Sequence, residues 1–181
     1  VIIGNSALNL KSGKFIFENI KKYLVDNKKI TDEWNPLNIL SVNASSVGSY
    51  DLNLVNNEEN LTLKKLKEND FEIVFLIGQD NLKFKKKAEF IVYIGSHGDN
   101  GAEIADVILP GATYTEQDGF FTNLEGKLQK AYRASFPPGE AKEDYKILNE
   151  LSELLKRKKL FQNKDELIDN LLNYLNLNQK K

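Results

Sequence analysis

Residues 105–129 read ADVILPGATYTEQDGFFTNLEGKLQ. The run 105–109 is short, apolar and stopped by Pro110-Gly111, which predicts a buried strand with an abrupt end. Asp106 stands at the entrance of that strand, where a carboxylate accepts backbone N–H groups. Thr113-x-x-Glu116 has the spacing of a capping box and predicts a short helical turn. Asp118-Gly119 and Glu125-Gly126 are turn dipeptides. Between and after them, 120–123 and 127–131 predict two strands of a hairpin around a turn at 124–126.

The same punctuation recurs upstream. Short apolar runs at 1–3, 37–42, 71–77 and 90–94 each end in glycine or in polar residues, and read as strands. Helical spacing separates them. Ser12 is placed to cap a helix carrying Phe15, Ile16, Ile20, Tyr23 and Leu24, and 61–66 is helix-like with Leu61, Leu63 and Leu66 apolar. Strands that are apolar on both faces and alternate with helices predict an α/β fold: a mostly parallel, Rossmann-like sheet flanked by helices. A C-terminal hairpin and helices follow. Residues 140–155 predict a helix with Tyr145, Leu148, Leu151 (or Ser152) and Leu155 as its stripe. The basic run 156–159 ends it, where positive charge suits the helix dipole. A last amphipathic helix is predicted at 165–175. The polar stretches 56–60 and 83–87 read as surface loops. No repeat or boundary interrupts the pattern, so 1–176 reads as one domain, part of a larger subunit, with a frayed tail at 177–181.

Composition narrows the chemistry. The chain has 181 residues, 25 Lys plus Arg against 26 Asp plus Glu, and a net charge of -1. That balance gives no general basic field for nucleic acid. No apolar run approaches the roughly 20 residues of a membrane helix, so no direct membrane insertion is expected. Cysteine is absent, which excludes disulfides, thiolate iron–sulfur ligation, Cys-type zinc and a Cys nucleophile. With His97 the one histidine, a His-rich metal site is excluded too. Methionine is also absent. The chain is therefore expected to be a processed product, a fragment or part of something longer.

In an open α/β sheet, ligands sit at the carboxyl ends of the strands. Three loops qualify by position: 78–81, 95–101 and 111–119. Their glycines allow backbone N–H groups to approach a nucleotide or pterin phosphate, and equally allow the chain to turn. Neither GxGxxG nor a Walker A motif is present. Ser96, His97 and Asp99 suggest a catalytic trio, but triads converge from separate segments and no G-x-S-x-G elbow accompanies them. His97 reads instead as a loop histidine holding a backbone carbonyl. Asp106, Glu116, Asp118 and Glu125 are carboxylates that caps, turns and the strand entrance account for. Lys156–Lys159 lacks interleaved aromatics and reads as a solvated helix end. No catalytic residue, cofactor-binding residue or metal ligand is assigned.

Beyond this reading, residues 93–102 (YIGSHGDNGA), 104–112 (IADVILPGA), Tyr114-Thr115-Glu116, Asn123-x-Glu125-Gly126 and 137–147 (PPGEAKEDYKI) resemble the large iron–sulfur subunit of respiratory complex I, of the mitochondrial type. That family carries the molybdopterin-oxidoreductase fold. Tyr145 stands where tryptophan is usual. Weaker matches at 4–8, 38–40 and 75–78 extend the resemblance over most of 1–155. It implies a non-catalytic portion of the peripheral arm of NADH:ubiquinone oxidoreductase, supporting electron transfer from NADH to ubiquinone. The family's iron–sulfur clusters would lie in an N-terminal part or a partner chain, because this chain has no cysteine. Implied partners are other peripheral-arm subunits, above all that cluster-bearing part, with no nucleic acid. The implied location is the matrix side of the mitochondrial inner membrane, or the cytoplasmic side of a bacterial one. A split gene would also produce such a chain. The shared fold pattern equally suggests a fragment of a catalytic, formate dehydrogenase-like molybdopterin enzyme, and a free-standing nucleotide-binding module is a third reading.

Overall fold

A computed structural model of the chain describes residues 1–44, 46–54, 61–68 and 71–178. The loop expected at 56–60 lies outside them. In chain order the elements are β1 (Ile2–Gly4), α1 (Asn5–Leu8), α2 (Gly13–Asp26), β2 (Asn38–Leu40), α3 (Ser46–Asp51), α4 (Leu61–Glu68), β3 (Ile73–Ile77), β4 (Phe90–Gly95), α5 (Asn100–Ile104), β5 (Val107–Pro110), β6 (Gly119–Thr122), β7 (Leu128–Ala131), α6 (Asp144–Leu154) and α7 (Lys164–Asn178). Two compact units share these elements: Val1–Ser49 with Phe121–Gln129, and Tyr50–Phe120 with Lys130–Lys181. No linker signal in the sequence marks the division.

The first unit holds β1 and β2, which pair in parallel with Ile3 opposite Ile39. The α-amino group of Val1 donates to the Pro36 carbonyl at 2.8 Å, and Asn38 N donates to the Val1 carbonyl at 2.9 Å, so the pair is laced from its first residue. Helix α2 forms where periodicity places it, but its stripe is narrower than predicted. Leu24 is buried, whereas Phe15 and Tyr23 face solvent. Ser12 occupies the N-cap position without a side-chain capping bond. In the turn after Thr122, Asn123 Oδ1 accepts from Glu125 N (3.0 Å) and Lys127 N (2.9 Å), and Gly126 adopts a φ of 79°.

The second unit is built on a parallel sheet in the order β3-β4-β5. The predicted strand in 105–109 is its third strand. Central β4 is buried on both faces, as its continuous apolar run requires. On one face Leu76, Ile91 and Tyr93 pack with Val74, Leu82, Phe84 and the α5 segment Ala102, Ile104 and Ala105. On the other, Val92 and Ile94 pack against Ile147 and Leu148 of α6. Helix α6 covers β4 and β5 on that face, and β3 lies outside its reach. Ile73 and Phe75 of β3, and Phe90 at the start of β4, are 57%, 45% and 47% exposed, with Ile73 directly opposite Phe90. This edge of the sheet is less covered than its centre.

Helix α6 starts at Asp144 rather than at the expected residue 140. The backbone just before it is already engaged by the sheet: Lys142 N donates to the Pro110 carbonyl (3.1 Å), and Ala112 N donates to the Lys142 carbonyl (2.8 Å). Its buried face is also displaced, with Ile147 buried and Leu155 exposed. Two buried polar residues on that face organise the chain beyond. Ser152 Oγ donates to the Lys158 carbonyl (2.7 Å). Asn149 donates to the Phe161 carbonyl (2.7 Å) and accepts from Leu160 N and Phe161 N. The basic run therefore has exposed side chains on a fastened backbone. Helix α7 reaches Asn178.

Asp106 does what its position at the strand entrance predicts. Its Oδ2 accepts Ile91 N at 2.8 Å and its Oδ1 pairs with Lys86 Nζ at 2.6 Å, joining β4 to β5. The Ile91 N–H first, and then Lys86, hold its carboxyl below the usual carboxylate range.

Two predictions test this packing. Ile94→Ala in the isolated chain costs about 2–5 kcal/mol of stability by urea unfolding, while Ile73→Ala, on the exposed edge, stays within about 0.5 kcal/mol. Because the folded-state pKa of Asp106 lies below the unfolded value, its contribution is complete above about pH 4 and is lost as the pH falls through the folded value. Asp106→Asn accordingly lowers the urea midpoint at pH 7, and its gap to the wild type closes in acid.

Candidate functional site

Two of the three carboxyl-end loops meet through one side chain. Tyr93, in the middle of β4, is 1% exposed. Its hydroxyl donates a close hydrogen bond to Asp80 Oδ1 in the first loop and lies 2.9 Å from the His97 carbonyl in the second. Asn100 Nδ2 adds a bond to the Asp80 carbonyl at 3.1 Å. Burial first, and then the hydrogen bond with Asp80, push the Tyr93 phenol up from 10.0 to about 12, so the ring stays neutral at any physiological pH.

The glycines in these loops serve that ring. A Cβ on Gly101 would sit 2.8 Å from the Tyr93 ring and 2.6 Å from the Gln79 carbonyl, and one on Gly95 would strike the phenol itself. Close approach of backbone to an aromatic side chain, rather than to a phosphate, is what these two positions require. The third loop joins by backbone alone, with Gly111 N donating to the Gly95 carbonyl at 2.9 Å.

His97 is placed differently from expectation. Among the described residues its ring is bonded to no backbone carbonyl; Nδ1 lies 3.0 Å from the neighbouring Ser96 Oγ, and the His97 carbonyl itself lies 2.9 Å from the Tyr93 hydroxyl. The Ser96–His97 contact joins exposed neighbours in sequence, and the half-buried acceptor nearby, Asp80, is engaged by Tyr93. Gly95, Ser96, His97, Pro110, Gly111, Thr113, Glu116, Pro138 and Ala141 enclose an open cavity of about 310 Å³. Glu116 Oε2 accepts Thr113 N at 3.0 Å, which is one half of the predicted capping box, although the segment forms a turn and not a helix.

The remaining carboxylates separate into structural roles. Asp118 Oδ1 accepts Arg133 N at 2.9 Å, and its Oδ2 lies 3.8 Å from Lys164 Nζ; the N–H first, and then the lysine, hold its carboxyl low. Glu125 is an exposed turn residue. Sequence reading missed three groups. Buried Glu143 forms a close ion pair with Lys164 of α7 and lies 3.4 Å from Lys146. Half-buried Asp144 has its carboxyl pushed up by desolvation, and its Oδ1 lies 2.8 Å from where a Cβ on Gly111 would sit. Tyr93 reads as one more apolar residue of FIVYIG; its hydroxyl, so near the strand's carboxyl end, is the one signal that could have found it. Among the described residues, no three His, Asp or Glu side chains gather in a group that could hold a metal ion, and no helix is long and apolar enough to cross a membrane.

The sequence matches known proteins over this whole framework. It is 40% identical over 162 residues to the NADH-ubiquinone oxidoreductase 75 kDa subunit of Reclinomonas americana, covering 87% of this chain and 23% of that protein. It is 42% identical over 168 residues to an NADH-quinone oxidoreductase subunit of Rickettsia bellii, covering 92% and 24%. It is 37% identical over 161 residues to the mitochondrial NADH-ubiquinone oxidoreductase 78 kDa subunit of Candida albicans, covering 87% and 21%. The chain thus spans about a quarter of the length of the curated relatives it matches. The molybdopterin oxidoreductase family model matches residues 1–154, which takes in β1 through the last residue of α6. The chain belongs to the molybdopterin oxidoreductase family.

Proposed function

We propose that this chain is a structural, non-catalytic portion of the large iron–sulfur subunit of NADH:ubiquinone oxidoreductase, supporting electron transfer from NADH to ubiquinone in the peripheral arm. The observation that carries the reading is the 37–42% identity, over 87–92% of the chain, to proteins named as subunits of that enzyme. The same names favour it over a formate dehydrogenase-like fragment. The iron–sulfur clusters belong to an N-terminal part of the subunit or to a partner chain, since a chain without cysteine offers them no thiolate. The nearest partner is that cluster-bearing part, followed by other peripheral-arm subunits. The place is the matrix side of the mitochondrial inner membrane, or the cytoplasmic side of a bacterial membrane.

The family name implies a pterin dinucleotide, and the donor set at the carboxyl edge supports the view that none is held here. Such a cofactor presents an anionic pyrophosphate, which calls for lysine, arginine or free backbone N–H groups. The described residues around the cavity offer no Lys or Arg and include the Glu116 carboxylate, with Asp144 packed beside Gly111. Gly111 N and Thr113 N are already bonded to this chain's own acceptors.

Native electrophoresis of respiratory membranes is expected to find peptides of this chain comigrating with NADH:ubiquinone oxidoreductase activity. A chain that migrates elsewhere would sink the proposal. Elemental analysis of the same band is expected to find iron without molybdenum or tungsten; either metal together with a pterin would restore the catalytic reading.

A further inference from the structure

We propose that residues 130–136, the end of β7 and the loop that follows it, are a docking surface for an acidic segment of a partner polypeptide. Residues 130–139 read KAYRASFPPG and carry Lys130 and Arg133 with no carboxylate, in a chain of net charge -1. Tyr132 and Phe136 are 74% and 72% exposed. A single exposed ring on a loose loop is ordinary, but this loop is pinned. Ala134 N and Ser135 N both donate to the Thr115 carbonyl, at 2.8 and 3.1 Å, and Arg133 N donates to Asp118 Oδ1 at 2.9 Å. Pro137 and Pro138 then fix the backbone that follows.

The cations are held as well. The Arg133 guanidinium lies 4.2 Å from the centre of the Phe136 ring, and the Lys130 ammonium 4.9 Å from that of Tyr132. Each ring carries a positive charge over one face, on a backbone that needs little further ordering before it binds. Tyr, Phe and Arg are the side chains enriched at protein interfaces. The group that complements them is a carboxylate, which can bond a guanidinium in a bidentate fork while its neighbours cover the rings. A nucleic acid backbone fits less well. Two cations neutralise few phosphates.

The proposal relies on the assembly role only for where the partner is found, and one experiment separates the two. The chain is extracted in its native state, sized on a native gel, and oxidised by hydroxyl radicals beside the isolated chain. A parallel sample is treated with a zero-length carbodiimide, which joins Lys130 to a touching carboxylate. The expected result is several-fold lower oxidation of Tyr132 and Phe136 in the extract, with Lys130 joined to an Asp or Glu of another polypeptide. Equal oxidation in extract and isolated chain overturns the surface, whatever the size of the band. Protection that nuclease or delipidation removes, or protection without a Lys130–carboxylate product, overturns it in favour of nucleic acid, lipid or a neutral partner. The expected protection and cross-link in a band lacking NADH:ubiquinone oxidoreductase activity uphold the surface and overturn the assembly reading.

Discussion

The second unit depends on one phenol. Tyr93 lies at the centre of the sheet with its ring in the core and its hydroxyl at the carboxyl edge, where it binds Asp80 of one loop and the His97 carbonyl of the next. In the interior such a hydroxyl must be partnered, because an unsatisfied buried donor costs about 1–3 kcal/mol. Satisfying it fixes the height of both loops above the strands. Gly95 and Gly101 are then required to be glycine, since a Cβ at either would collide with the ring. A core residue thereby sets the geometry of the place where α/β folds of this kind receive their ligands.

The conspicuous groups along this edge are engaged by the framework itself. The strands, the glycine turns and the run from Ala105 to Gly111 serve the sheet first. Asp106 joins β4 to β5, Glu116 closes a turn, and Asp118, Glu143 and Lys164 tie the segment before β6 to the start of α6 and to α7. Asp106, Glu116 and Asp118 thus each have a structural partner. The carboxyl-edge cavity remains as a consequence of strands ending beside one another, with negative groups around it.

Much of the fold was legible because hydrophobic period and glycine or proline punctuation are local signals. The strands in 71–77, 90–94 and 105–109, the hairpin, and the helices containing Leu24 and Ile147 all form where pattern places them. What was illegible depended on distant partners. Nothing near residue 140 says that the Lys142 backbone completes the edge of β5, so the pattern starts α6 four residues before Asp144. Asn149 looks like a surface position until the returning chain at 160–161 brings a carbonyl and amides to it. The exposed edge at Ile73, Phe75 and Phe90 has the same origin, since an apolar run does not reveal which of its faces will be covered. At the candidate site, sequence drew attention to His97 because histidine is chemically versatile, whereas the organising residue was a tyrosine that reads as core.

The most direct test of this account is amide hydrogen exchange on Tyr93→Phe, which keeps the ring and removes only the hydroxyl. If the phenol holds the carboxyl-end loops, exchange at residues 78–81 and 95–101 accelerates together by about tenfold or more, the equivalent of losing roughly 1.4 kcal/mol of hydrogen bonding, while β4 itself stays protected. Unchanged exchange in both loops, or acceleration in one alone, would contradict the claim that Tyr93 couples them.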